Sequence, residues 1–170
     1  GLMPRRAFLA WPDKRLRQVA EPVGEVTDQV RAIWDDMLDS MYAMPGIGLA
    51  APQIGVMQRL AVVDCSTAKN APLRMADPEV LHASERFAEH EEGSPNLLHV
   101  SAKVKRPRAV TVSFTDQLGM RVRQDFVGLW AVSVQHQIDH LNGKMYFDHL
   151  GSVKRTMLIA KSAKLARRGG

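Results

Sequence analysis

Apolar residues recur at helical spacing in a long segment that begins after Thr27. The residues that share this spacing are Val30, Ile33, Trp34, Met37, Met41 and Met44. Thr27 is a favourable N-cap and Pro45-Gly46 is a stop signal, so we expect a helix between them. A second apolar segment, 128–143, predicts a largely buried helix that ends at Asn142-Gly143.

Shorter runs predict strands between and after these helices. The run 59–65 is apolar and short enough for a buried strand. The run 108–116 alternates, and the turn residues from Asp116 to Gly119 join it to "MRVRQDFV", which predicts an antiparallel hairpin. Hairpins around a buried helix indicate an α+β fold rather than an alternating α/β fold. With 170 residues, we expect 1–170 to form a single domain.

The last segment, 152–168, predicts a basic helix that carries much of the net charge of +5. Its expected apolar face consists of Val153, Met157, Leu158 and Leu165. We expect this face to pack on the domain. The basic face leaves open a contact with an anionic partner such as the ribosome, whereas a membrane surface would need a longer apolar face. Aromatic residues that stack on bases are missing from this segment, so sequence-specific binding of nucleic acid is not expected.

The cysteine content and the hydropathy pattern favour a cytoplasmic protein. Cys65 is the only cysteine, which excludes a disulfide framework, and its place in the 59–65 run is typical of a structural residue. The first residues, "GLMPRRAF", lack the apolar core of a signal peptide. Because every apolar run is shorter than about 18 residues, we expect no membrane span.

Two histidines lie four residues apart in "VQHQIDHLNG", 134–143. Residues at i and i+4 share one helix face, so His136 and His140 can bind one metal ion. Zinc hydrolases with the pattern H-E-x-x-H use its Glu as a general base, but here that position is Gln137. The pair alone leaves open both a metal site and two structural histidines.

Two further segments accompany the histidine pair. "GIGLAAPQIG" (46–55) and "EEGSPNLLHV" (91–100) precede it, and the chain resembles the peptide deformylase family over nearly its whole length. The first segment matches the family motif G-x-G-L-A-A-x-Q at every fixed position. Members are metal hydrolases that remove the formyl group from the N-terminal Met of nascent proteins. The resemblance implies antiparallel or mixed sheets around the helix that carries His136 and His140, plus a C-terminal helix.

The resemblance also implies roles for individual residues. In the family, His136, His140 and the Cys position, here Ser94, bind Fe²⁺ or Zn²⁺. The residue at 137 moves protons, while the side chain of Gln53 and the backbone N–H at 95 stabilise the oxyanion. The backbone N–H of Gly48 is a further donor nearby. Residues implied to contact the formylated or extended peptide are Gly46, Gly48, Leu49, Glu92 and Gly93.

Four positions depart from the family motifs E-G-C-L-S and H-E-x-x-H: Asn96 stands for the Ser, and the other three bear directly on the chemistry. Ser94 stands for the Cys ligand, and a hydroxyl binds Zn²⁺ or Fe²⁺ far more weakly than a thiolate does. Gln137 stands for the Glu and cannot accept a proton near neutral pH. Pro95 stands for the Leu and has no N–H to donate. We therefore expect a weak or empty metal site and weak or lost activity.

Other residues remain open as replacements. His90, Glu91, His99 or a water are alternatives for the third ligand, and Glu91 or Asp139 for the base, although Asp139 faces away from His136 on a helix. Two other functions also remain: a binding or regulatory protein for peptides or formyl-Met without catalysis, and an enzyme with a different metal set and substrate.

Overall fold

The computed structural model describes residues 6–169, so part of the segment "GLMPRRAF", on which the expected lack of a signal core depends, lies outside the described residues. Three α-helices are present: α1 (Asp28–Ala43), α2 (Gly128–Leu141) and α3 (Ser152–Gly169). The strands are β1 (Gly48–Ala50), β2 (Leu60–Val63), β3 (Leu73–Ala83), β4 (Phe87–Ser94), β5 (Leu97–Pro107), β6 (Ala109–Thr115) and β7 (Arg121–Val127). Short 3-10 helices span Lys14–Arg17, Ala51–Ile54 and Tyr146–His149. This content confirms the predicted α+β class.

Helix α1 begins and packs as its sequence pattern predicts. The Oγ1 atom of Thr27 accepts a hydrogen bond from the backbone N–H of Val30, which caps the first turn. Its apolar residues are buried against β1 and β2. Trp34 is fully buried, and its indole N–H donates to the carbonyl oxygen of Met75 at 3.2 Å. The buried Trp thus keeps its one donor satisfied.

The strands form two antiparallel sheets. One has five strands in the order β1-β2-β3-β6-β7, and the other is the β4-β5 hairpin. The predicted hairpin is confirmed as β6 and β7, joined by a turn in which Gly119 has φ +80° and its N–H donates to Asp116. Cys65 lies just after β2, and burial raises the pKa of its thiol to about 11, so it is no nucleophile near neutral pH.

Helix α2 lies at the centre of the fold and has two differently occupied faces. Ala131, Val134 and Ile138 pack on the five-stranded sheet together with residues such as Val112 and Phe126. The opposite face carries the two histidines and Gln137 towards the β4-β5 hairpin and the segment before β1. The predicted end at Asn142-Gly143 is confirmed, with Gly143 at φ +75°.

Helix α3 packs on β5 with a face that agrees only in part with the one predicted. Val153 and Met157 are 70% and 67% exposed, so their assignment to the packed face is wrong. Leu158 packs there as predicted, together with Ile159, and the hydroxyl of Ser162 on the same face donates to the carbonyl oxygen of Leu98 in β5 at 2.7 Å. The Lys and Arg side chains remain largely exposed. No helix within residues 6–169 is long and apolar enough to cross a bilayer.

Candidate functional site

A cleft of about 360 Å³ opens between the segment that leads into β1 and the end of β4, with α2 as its floor. Most of the residues predicted for the site line it: Gly46, Gly48, Gln53, Glu92, Gly93, Ser94, Pro95, His136 and Gln137. Leu49 does not line the cleft, because its side chain is fully buried in the core beneath α1. His140 is 1% exposed and lies one helical turn beyond His136.

The two histidines face each other through their Nε2 atoms, which are 3.1 Å apart. Nδ1 of His136 lies 2.8 Å from a carboxylate oxygen of Glu92. A carboxylate can only accept, so this Nδ1 carries the proton and Nε2 keeps its lone pair. Burial lowers the pKa of His140 well below its ordinary value, and the neighbouring His136 lowers it further. The Nε2 atom of His136 can therefore accept a hydrogen bond from Nε2–H of His140, whose Nδ1 has no partner among residues 6–169.

A buried ionic network supports the histidines from the β4-β5 hairpin. Arg106 donates from Nε and Nη2 to both oxygens of Glu92, at 2.6 and 2.9 Å, and from Nη1 to Asp139 at 2.8 Å. Asp139 also contacts Nε2 of His149 at 2.7 Å, so its carboxylate points away from the cleft. Burial would raise the pKa of Glu92, but hydrogen bonds from His136 and Arg106 outweigh it and lower that pKa.

The hydroxyl of Ser94 makes two hydrogen bonds with Asn96. Its hydroxyl donates to Oδ1 of Asn96 at 3.0 Å and accepts from the Asn96 backbone N–H at 3.1 Å. Gln53 is held by the same residue, since its Nε2 donates to Oδ1 of Asn96 at 2.9 Å. Its Oε1 accepts from the backbone N–H of Ala50 at 2.8 Å. Two predicted site residues are thus held by Asn96, which stands at the Ser position of the family motif E-G-C-L-S.

Gln137 lies against the strand edge at Gly48. Its Nε2 is 3.4 Å from the hydroxyl of Ser133, which itself donates to the Ile47 carbonyl at 3.1 Å. The Oε1 atom of Gln137 is buried and has no hydrogen-bond partner among residues 6–169. A Cβ at position 48 would overlap both Gln137 Nε2 and Ser133 Oγ. The glycine is therefore required by the close approach of α2 to β1.

Replacement of Gly48 with Ala should lower the free energy of unfolding by about 1–3 kcal/mol, because the added methyl forces α2 side chains out of place. Urea denaturation measures the change. Gly151→Ala is the matched control, since no atom lies within 4 Å of its added Cβ. A loss as small as that of the control would show that α2 and β1 are not in tight contact.

The donors in the site do not fit a metal centre with three protein ligands. The distance between the two Nε2 atoms is close to the roughly 3.4 Å that separates two ligands of tetrahedral Zn²⁺. Within the described range 6–169, however, no three His, Cys, Asp or Glu side chains come together as metal ligands. His90, Glu91 and His99 therefore do not complete the pair, and the Ser94 hydroxyl is engaged with Asn96.

Three residues that shape the site were not predicted from the sequence. They are Asn96, Arg106 and Ser133. Arg106 stands in "VKRPR", within a segment that already resembled the family, and a buried Arg there requires a buried carboxylate partner. Asn96 is marked only as a departure from the family motif, and its bonds to Leu9 and Gln53, like the bond of Ser133 to Ile47, join residues far apart in the sequence.

Comparisons with known proteins agree with this architecture. Residues 6–156 match the family described as "Polypeptide deformylase". A peptide deformylase from Methylocella silvestris is 45% identical over 97% of this chain and 87% of that protein. One from Rhodopseudomonas palustris is 43% identical over 98% of each.

Solved structures of the family superpose closely on this chain. The crystal structure of a peptide deformylase from Legionella pneumophila gives a TM-score of 0.91 at 37% identity, covering 98% of both chains. A peptide deformylase from Ehrlichia chaffeensis, solved in complex with actinonin, gives 0.91 at 30% identity over 97% of this chain and 99% of that one. The predicted family is thereby confirmed, and the chain belongs to the peptide deformylases.

Proposed function

We propose that this chain is a peptide deformylase homologue that binds an extended peptide but hydrolyses formylated peptides weakly or not at all. The observation that carries the proposal is the engagement of Ser94. Its hydroxyl both donates a hydrogen bond to Asn96 and accepts one from it, and so does not serve as a third metal ligand beside the two histidines. A pair of imidazoles alone holds Fe²⁺ or Zn²⁺ weakly compared with a set that includes a thiolate.

Two other changes weaken the chemistry in the same cleft. The amide of Gln137 takes up no proton near neutral pH, and a missing general base costs about 10²–10⁴-fold in rate. Pro95 has no N–H, and one lost oxyanion donor costs about 10²–10³-fold. Because catalytic groups act as a unit, these factors do not simply multiply. Either of these two changes alone is enough to make turnover slow.

Peptide binding is supported by features that do not depend on the changed residues. Strand β1 is the edge of the five-stranded sheet, and the residues before it line the cleft. An extended peptide can pair with such an edge through its backbone. Leu98, Leu129 and Val132 supply apolar surface in the same cleft for a side chain such as Met. We therefore place the peptide alongside β1.

Leu129→Asp should weaken the binding of a formyl-Met peptide at least about tenfold, because it puts a charge on the apolar floor of the cleft. Isothermal titration calorimetry with formyl-Met-Ala-Ser measures the affinity. Leu118→Asp is the control, since Leu118 is 75% exposed in the β6-β7 turn outside the cleft. Equal affinities for the two variants would refute binding in this cleft.

We also propose that α3 provides contact with the ribosome. Its apolar side is packed on β5, while Lys161, Lys164 and Arg168 are exposed. Reversal of these three charges to Glu should abolish salt-sensitive co-sedimentation with ribosomes. The control reverses Lys14, Lys103 and Arg108, which are exposed outside α3 and give the same net charge. Equal loss in both variants would indicate a net-charge effect and contradict a specific role for α3.

A further inference from the structure

We propose that Asn96 is a positioning residue that holds Ser94 and Gln53 together by hydrogen bonds, an arrangement we call the lock. This lock, and not only the weak binding of metal by a hydroxyl, prevents the side chain at position 94 from acting as a third metal ligand beside His136 and His140. The inference rests on the proposed function and deepens it, because it names the residue that maintains the incomplete site. A thiolate restored at position 94 would then bind metal at full strength only when position 96 is changed as well.

Asn96 uses all of its hydrogen-bonding groups. It is 2% exposed, and its Nδ2 donates to the carbonyl oxygens of Leu9 at 2.6 Å and of Gln53 at 3.0 Å. Its Oδ1 accepts from Ser94 Oγ and Gln53 Nε2. Its backbone N–H donates to Ser94, and its carbonyl accepts from the N–H of Trp11 at 2.8 Å. No donor or acceptor is left over.

These partners allow only one orientation of the Asn96 amide. Nδ2 faces two carbonyl oxygens and Oδ1 faces two donors, so a flipped amide would place oxygen against oxygen and nitrogen against nitrogen. The groups belong to three separate parts of the chain: residues 9–11, the 3-10 helix Ala51–Ile54 and the β4-β5 hairpin. A buried network in which every member is satisfied is rigid.

The lock restrains the side chains of both Ser94 and Gln53, at positions that the family reaction uses. The Ser94 side chain is directed to Asn96 by two hydrogen bonds, and one of the two Nε2 protons of Gln53 is held by the same Oδ1. A sulfur atom in place of the Ser94 oxygen would meet the same lone pairs of Oδ1. Outer residues that orient a ligand typically change metal affinity about 10–100-fold.

Co²⁺ titration of full-length variants tests the lock. Ser94→Cys combined with Asn96→Ser should bind Co²⁺ at least about tenfold more tightly than Ser94→Cys alone. The thiolate-to-Co²⁺ charge-transfer band reports whether the sulfur itself is bound. Ser94→Cys combined with Ser101→Ala is the matched control, because Ser101 lies on the same hairpin and bonds Glu91 instead. This control should bind as Ser94→Cys does.

Equal Co²⁺ affinity with and without Asn96→Ser would overturn the inference. A second measurement on the unaltered chain decides the matter if the double variant does not fold. Both Nδ2 protons of Asn96 should exchange slowly with solvent in NMR spectra, and fast exchange would also overturn it. Failure of the proposed function has a different signature: the unaltered chain itself would bind Co²⁺ tightly and release formate from formyl-Met-Ala-Ser.

Discussion

A chain with Ser94→Cys, Pro95→Leu and Gln137→Glu should hydrolyse formyl-Met peptides at least about 10³-fold faster than the unaltered chain. The first change supplies a thiolate ligand, the second an N–H for the oxyanion and the third a proton acceptor. The gain is expected because the histidine pair, its Glu92 support and the cleft are already in place. Adding Asn96→Ser should increase it further. Formate release under substrate saturation measures the rate.

Gln135→Glu is the control for the third change. It introduces the same carboxylate two residues earlier on α2, where the side chain donates to the Pro107 carbonyl and does not line the cleft. It should leave formate release unchanged. If the triple variant binds metal but gains no activity, the cleft itself has diverged beyond the three positions, and the account of the lost chemistry is wrong.

Arg106→Met should lower the free energy of unfolding by about 3–5 kcal/mol and the melting temperature by roughly 10 °C. Arg106 and Glu92 have side chains that are only 4% exposed, so loss of the guanidinium leaves a buried carboxylate with one remaining partner, His136. Asp139 loses a partner too. Urea denaturation monitored by circular dichroism measures the change.

Two control variants test whether the loss of stability comes from the buried ionic network. Arg108→Met removes an exposed Arg two residues away and should change stability by less than about 0.5 kcal/mol. Adding Glu92→Gln to Arg106→Met should recover part of the loss, because position 92 then carries no buried charge that needs a partner. A loss after Arg106→Met no greater than that after Arg108→Met would mean that Arg106 is not part of a buried network.

The parts of the fold that sequence patterns predict are those with strong local signals. Helix α1 has helically spaced apolar residues between an N-cap and a stop signal, and α2 has a buried apolar segment between a glycine and a stop signal. The β6-β7 hairpin has an alternating pattern with a turn in its middle. Strands β3, β4 and β5 were not predicted. In β4 and β5, one face is largely exposed and charged, so apolar alternation is weak, and their pairing depends on the rest of the fold.

In the candidate site, too, some residues were predicted from the sequence and others were not. The resemblance to the family predicts that Gly48, Ser94, His136 and Gln137 belong to one site, and they line one cleft. The contacts of Asn96 with Leu9 and Gln53 join residues that are 87 and 43 positions apart, which no local pattern can reveal. The packed face of α3 was predicted only in part, because it includes a polar residue, Ser162, whose hydroxyl donates to a carbonyl oxygen of another element.

Formate release from formyl-Met-Ala-Ser by the unaltered chain, supplied with Fe²⁺ or Zn²⁺ and compared with the Rhodopseudomonas palustris relative, is the most direct measurement. The account predicts that this chain binds the peptide yet releases formate at least about 10³-fold more slowly than the relative does. Release at a similar rate would contradict it.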